Sequence, residues 1–571
     1  MKRCGLSRAP GTVAETPFIL LLSRGDPSLS SPAQPEYPDK IDGAVLKIAG
    51  VVVLGAIMSI LDITVVNVAL PDLQTTFTGE DNPLPYSTVA WTVTAYTLAL
   101  ATVIPLTGWA ADRFGTKRLY MLALLLFTAG SLLCAAATSI NMLILFRVVQ
   151  GLGGGLLMPL GMTIMTRAAG PARMGRLMAI LGIPMLLGPI GGPILGGWLI
   201  DKVSWHWIFL INLPLGIAAL VYAQWALAKD APEPTESFDW LGMALMSPGL
   251  AFFLYGVSSI PEEGTISSAK VLGFAGAGLV LIIAFVFHSF RPEHPLLDLR
   301  LFKNRNLTWS IVTMFIFAGA FFGGLLLVPT YLQTVRGEGA LDAGLLVAPQ
   351  GIGAMITMPI AGALADKLPV GRIVPFGLAT ITLGMFGLTQ VDGDTSYWGY
   401  LIPVLFVMGL GMGATMMPLM TSAIKTLTSH QVARGSTLLN ISQQVASSIG
   451  VAIISVVLTN GLRNEPLVSQ AAAFGEASAK DPANTQSLLQ QFPLVGEILG
   501  RFGNDAAAGQ AALQSAVQNA MGEVFGSTFF VAAIMVAFTL VTAAFLPRKH
   551  EESHLLDDVD PAEVAPPVIL H

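Results

Sequence analysis

Charge is scarce in this chain. Only 12% of its 571 residues are Asp, Glu, Lys or Arg, about half the share of an average soluble domain, which is about 25%. Cysteine is rarer still. Cys4 falls in a polar N-terminal stretch and Cys134 in an apolar run, so the two are expected on different sides of the fold with no disulfide between them. The seven histidines are scattered, and none has the Cys/His spacing of a metal site. The glycine run Gly151–Gly155 lacks the Lys-Ser/Thr that completes a phosphate-binding loop, so no ATP site is expected. No nucleophile–base set lies in a water-accessible segment. The chain is therefore read as a non-enzyme without cofactor or metal and without a nucleic-acid partner. The apolar stretch Pro17–Leu22 is shorter than the about 7–15 residues of a signal-peptide core; residues 1–44 are read as a disordered cytoplasmic arm.

What is abundant is apolar sequence in long blocks. Hydrophobic residues make up 53% of the chain, and blocks of about 20 residues are long enough to span a bilayer as helices. Fourteen such spans are predicted, at 45–70, 88–110, 118–138, 141–165, 175–200, 205–228, 240–260, 270–290, 307–334, 342–364, 372–391, 397–422, 435–461 and 525–546. With the N-terminus placed inside and Lys47 counted with the arm, 23 of the 30 Lys and Arg fall in inner segments, 6 in outer ones, and Arg147 lies within a span. That asymmetry places both termini in the cytoplasm. The long outer segment 462–524 is expected to be partly helical, serving either as a plain loop or as a lid or docking element.

The halves repeat. "GWAADRFGTKR" after the second span and "GALADKLPVGR" after the tenth align at a constant offset of 254 residues. Gly108 matches Gly362, Asp112 matches Asp366, Arg113 matches Lys367, and Arg118 matches Arg372; Lys117 adds charge to the first copy. Duplicated halves are a transporter signature. Either copy alone could be a basic topogenic loop. Two in register suggest a charged latch, because a carboxylate is favoured at the N-terminus of a neighbouring helix.

Two ionisable residues lie deep in the spans. Asp62 sits about 12 Å and Arg147 about 9 Å below the same outer face, at 1.5 Å per residue. Such residues are costly in a membrane and are functional candidates. Burial favours the neutral acid and a guanidinium favours the carboxylate, so the pair can couple protons; it can equally be a static pair that fixes helix register.

The motifs, in order, resemble those of the major facilitator superfamily, and within it the fourteen-spanner drug:proton antiporters of EmrB/QacA type. "LDITVVNVALP" (from Leu61) is similar to the first-helix motif, and "GWAADRFGTKR" to motif A. "RVVQGLGGGLLMP" (from Arg147) resembles motif B, and "GIPMLLGPIGGPILGGW" (from Gly182) resembles the antiporter motif C. "WHWIFLINLPLG" resembles the sixth-span signature. The resemblance implies an all-α polytopic fold of two six-helix bundles, at 45–228 and 307–546, joined by two extra helices within 229–306, with a cytoplasmic tail at 547–571. It brings spans one and four together around a cavity. It implies that Gly182, Gly188, Pro189, Gly192, Pro193 and Gly196 form a bent, small-faced helix sealed against the other half, which disfavours an import symporter. The chain departs from the family at Gln443, where an arginine is common, and at the degenerate "LPVG" of the second motif A.

The expected activity is proton-coupled efflux of lipophilic or cationic drugs across the cytoplasmic membrane by alternating access. Export of a native lipid or metabolite, or an envelope-assembly role for the outer segment, are the alternatives. Trp91, Tyr96, Gln150, Phe321 and Gln333 are the candidate substrate contacts, with Trp91 equally suited to anchor at the membrane interface. Expected partners are small-molecule substrates, protons and membrane lipids, with a periplasmic adaptor as a further candidate.

Overall fold

The computed structural model describes residues 41–78, 84, 86–170, 173–229, 237–428, 431–480, 485–502 and 505–549. The expected arm up to residue 40 and the tail from residue 550 lie outside the described residues. Every regular element among the described residues is helical. Lipid offers the backbone no hydrogen-bond partner, so a spanning segment must satisfy its own N–H and C=O groups. Thirteen helical segments are long and apolar enough to cross a membrane. The helix Met174–Lys202, at the fifth expected span, brings the long segments to the expected fourteen.

The chain begins with α1 (Gly43–Phe77), whose first turn is capped by Asp42 accepting the N–H of Val45 at 2.8 Å. That N–H, and then Arg173, hold the Asp42 carboxyl below its usual range. The second span is broken: α2 (Tyr86–Val103) passes through a tight turn at Ile104–Leu106 into α3 (Thr107–Phe114). Pro105 lacks the N–H that a continuous helix needs there. Gly115, at φ 91°, then turns the chain directly into α4 (Thr116–Ala135), a conformation that glycine adopts without strain. Next come α5 (Ile140–Ala169), α6 (Met174–Lys202), α7 (Trp207–Leu210) and α8 (Asn212–Ala226). Within this group α1 packs on α6, and α2 and α4 pack on α5.

The two extra helical segments are α9 (Trp240–Ser258), extended by the short α10 (Ile260–Glu263), and α11 (Ala269–Ser289). The last group holds α12 (Arg305–Thr334), α13 (Ala340–Lys367), α14 (Val370–Leu388), α15 (Ile402–Gly413), α16 (Met416–Lys425) and α17 (Val432–Asn464). Here α12 packs on α17, and α13 and α14 on α15. Across the groups, α6 packs on α13, and α17 meets α3 and α5. The extra pair bridges a second seam. Ser247 of α9 donates to the Thr102 carbonyl of α2 at 2.7 Å, and Met246, Leu250 and Phe285 share an apolar cluster with Ile104 of the first group and Ile441 of α17.

The outer segment is more helical than a loop. It carries α18 (Pro466–Lys480), α19 (Thr485–Gln491) and α20 (Pro493–Gly500), and then α21 (Ala506–Ala543). Gln470 accepts the Leu494 N–H at 3.0 Å, and Phe474 meets Phe492 edge to face, tying α18 to α20. The Ala- and Gln-rich stretch before the last span is not separate from it. Asp505 caps α21 by accepting the Ala508 N–H, and no proline interrupts the 38 residues that follow.

Candidate functional site

Asp62 of α1 and Arg147 of α5 form an ion pair with no exposed side-chain surface. The pair sits in a hydrogen-bond network that leaves one guanidinium nitrogen, Arg147 Nη2, without a partner. Arg147 donates through Nε to the Thr92 carbonyl at 2.9 Å and through Nη1 to Gln150 Oε1 at 2.8 Å. Gln150 Nε2 donates to the other Asp62 oxygen at 2.7 Å, and Asn212 Nδ2 reaches the same oxygen at 3.4 Å. Ser131 of α4 accepts from both Gln150 and Asn212, at 3.2 and 3.1 Å, and donates to the Phe209 carbonyl at 2.9 Å. The Tyr96 ring lies 4.1 Å from the Arg147 guanidinium carbon. Four helices and the break between α7 and α8 thus converge on one carboxylate. Inside a low-dielectric interior, removing one member of such a network strands the polar groups of the others.

The sequence offers Tyr96 and Gln150 as candidate cavity residues. The structure places both against the charged pair instead. Asn212 and Ser131, absent from the candidates the sequence offers, complete the network. A signal for Gln150 existed, since three residues separate it from Arg147 and put both on one helix face. Asn212 also stood out, as a lone amide inside the apolar stretch "IFLINLPLG".

Beside this network lies a cavity of about 820 Å³, lined by segments of α1, α2, α5, α6, α12 and α17. None of the described residues lining it is Asp, Glu, Lys or Arg. Its size is that of a pocket for a drug-sized molecule. Gln333 lines it; Trp91, Tyr96, Gln150 and Phe321 do not. Phe321 is buried and stacked on Phe317, while its neighbour Phe322 reaches the cavity. Trp91 is 37% exposed and stacks on Tyr255 of α9. Ser59 forms part of the cavity wall, and its hydroxyl lies 3.2 Å from that of Tyr96. The charged pair is therefore one hydroxyl pair behind the cavity surface.

The repeated motifs meet at the end of the bundle where α1 begins. Asp112 lies 3.8 Å from Arg167 and 4.0 Å from Arg434 of α17. A Cβ at Gly108 would rest 3.4 Å from the Arg434 side chain, so this glycine marks a close approach of α3 to α17. Asp366 accepts the Gly175 N–H at 2.7 Å and the Arg176 Nε–H at 3.0 Å, at the start of α6. Lys117 donates to the carbonyls of Gln224 and Leu227 at the end of α8. Arg113, Arg118, Lys367 and Arg372 are exposed on this face. The cavity extends away from it, to Pro71 near the end of α1 and Gln333 near the end of α12.

The glycines of α6 divide their contacts. Gly182 meets Met358 and Met417 of the second group. Gly188, Gly192 and Gly196 instead abut Ile60, Thr64 and Val65 of α1, and the Thr64 hydroxyl donates to the Gly188 carbonyl at 3.1 Å. Among the described glycines of the motif, contact with the other half is thus made by Gly182, and Gly188, Gly192 and Gly196 seat α1. Pro189 and Pro193 lie on α6, with side chains outside the described residues.

A family model for the Major Facilitator Superfamily matches residues 52–451. The chain belongs to the major facilitator superfamily. It is 46% identical to the "Multidrug resistance protein B homolog" of Mycobacterium tuberculosis, over 91% of this chain and 93% of that one. To the "Multidrug export protein EmrB" of Escherichia coli it is 31% identical, over 74% and 81% of the two chains. Two solved major facilitator structures share the fold: the human organic anion transporter MFSD10, with TM-score 0.54 and 15% identity over 88% of this chain and all of that one, and the proton:xylose symporter XylE, with TM-score 0.51 and 14% identity over 89% and 97%. This major facilitator protein is accordingly a multi-pass membrane transporter of small molecules, not an enzyme.

Proposed function

We propose that the protein is a drug:proton antiporter that exports lipophilic or cationic drugs across the cytoplasmic membrane by alternating access. The observation that carries this reading is the buried Asp62–Arg147 pair set one hydroxyl pair behind a drug-sized cavity. Relatives named for multidrug export and resistance support the direction and the breadth of transport. In this reading the bundles α1–α8 and α12–α21 rock as rigid bodies, with α9 and α11 carried between them. The distribution of Lys and Arg puts both termini inside, so the cavity faces outward and the Asp112 and Asp366 contacts hold the inner face shut. Rocking the bundles breaks those contacts and opens the pair to cytoplasmic water, where Asp62 exchanges its proton. Gly108, Arg113, Lys117, Arg118, Lys367 and Arg372 belong to the same inner latch. A periplasmic adaptor is a candidate partner for the outer helices α18–α20.

The mostly apolar lining favours a second reading, export of a native lipid or metabolite by the same cycle. The deciding experiment follows efflux and binding of a fluorescent drug in proteoliposomes, for the wild type and Asp62→Asn. Binding retained with gradient-driven efflux lost supports Asp62 as the coupling carboxylate; efflux at the wild-type rate removes that role.

A further inference from the structure

The charge balance of the cavity reaches beyond the class of transport to the class of substrate. Asn440, Gln443 and Gln444 line it from one face of α17, and Asn67 of α1 and Gln333 of α12 line it as well. Carboxamides offer donors and acceptors but no net charge. Asn440 already donates to the Ser436 carbonyl at 2.8 Å, an orientation that leaves its oxygen to accept. The Asp62 carboxylate is engaged by Arg147, Gln150 and Asn212 behind the Ser59–Tyr96 pair.

We propose that the cavity selects uncharged lipophilic molecules bearing hydrogen-bonding groups over permanent cations, with the α17 amides Asn440 and Gln443 reading the polar groups. It follows that exchange against protons moves net charge. The second statement rests on the antiport reading above; the first stands on the cavity alone. A permanent cation entering this space sheds its water and finds no counter-charge, a penalty that hydrogen bonds to neutral amides do not offset. An uncharged molecule loses only the hydration of its polar groups, which the amides replace. The cycle then balances as follows. One proton taken up on the Asp62 carboxylate outside and released inside carries one positive charge inward. An uncharged molecule carried out returns none. Export of a monocation for one proton would cancel the charge, and the membrane potential would drop out of the driving force.

The test uses the purified full chain with two dyes, uncharged Nile red and the permanent cation ethidium. Binding is measured by equilibrium dialysis in lipid nanodiscs. Wild type is expected to bind the uncharged dye at least about tenfold more tightly than the cation. Gln443→Glu, and independently Asn440→Asp, should raise ethidium affinity by about tenfold or more. In proteoliposomes, a potassium–valinomycin potential at equal pH should drive Nile red export. Equal or tighter binding of ethidium by wild type overturns the selectivity. Dye export that follows a pH gradient and ignores the potential overturns the charge movement. If neither gradient moves either dye, the antiport reading fails with it, and the dialysis result still decides what the cavity selects.

Discussion

The Asp366 carboxylate of α13 accepts the backbone N–H of Gly175 at the first turn of α6, 2.7 Å away across the seam between the two helix groups. A helix N-terminus carries unsatisfied donors and partial positive charge, so a carboxylate there joins two helices without a side-chain partner. Arg176 adds a second bond at 3.0 Å. In Asp366→Asn the charge is lost and the shape kept. The closed inner face should weaken by about 1 kcal/mol, roughly a fivefold change in population. Distance measurements between spin labels at the inner ends of α4 and α14 report it; an unchanged distribution would rule out the latch.

Arg147→Ala leaves a buried carboxylate beside amides that cannot neutralise it. Removing one member of a buried ion pair costs about 3–5 kcal/mol. Asp62→Asn strands the Arg147 guanidinium, which cannot shed its proton, so both variants should lose thermal stability in detergent relative to the wild type. Melting temperatures unchanged from the wild type in both would mean that the pair is not buried in the working protein.

Gly192 abuts Thr64 so closely that a Cβ has no room. Gly192→Val should force α1 and α6 apart at a cost of about 1–3 kcal/mol. Gly197, with nothing near its Cβ position, is the control, and Gly197→Ala should transport like the wild type. A Gly192→Val protein with wild-type melting temperature and efflux would show that the close approach is not maintained in the membrane.

Removing α18–α20, with a short linker joining Asn464 to Asp505, tests the outer helices. Dye efflux by purified protein should survive, because no described residue of 466–500 lines the cavity. An envelope-assembly role predicts that the cellular phenotype is lost while efflux in proteoliposomes persists. Loss of efflux itself would assign the helices a gating role.

Much of the architecture was legible in the sequence because lipid imposes a simple rule, one apolar run per crossing. All fourteen runs became long helical segments, and the charged pair was visible as two costly residues at similar depth. What was not legible depends on helix rotation. Tyr96 and Gln150 are polar residues in spans, and the pattern cannot say whether they face a cavity or a buried charge. Asn212 and Ser131 enter the network only because α4 and α8 are held against α5. That the last span continues the helix before it was not legible for another reason: an Ala- and Gln-rich stretch is not apolar enough to mark a crossing, yet it propagates helix as readily as its neighbours. The deletion above must therefore stop before Ala506.

The fully buried Asp62–Arg147 ion pair sits among α1–α8, whereas α12 and α17 contribute amides and apolar side chains to the shared cavity. The two halves are therefore constrained differently. The first must conserve a network in which each member depends on the rest. The second presents independent side chains, any of which can change without stranding a buried charge. New substrate ranges are thus most accessible to mutation on α12 and α17, and a lineage under changing chemical pressure should diversify there first.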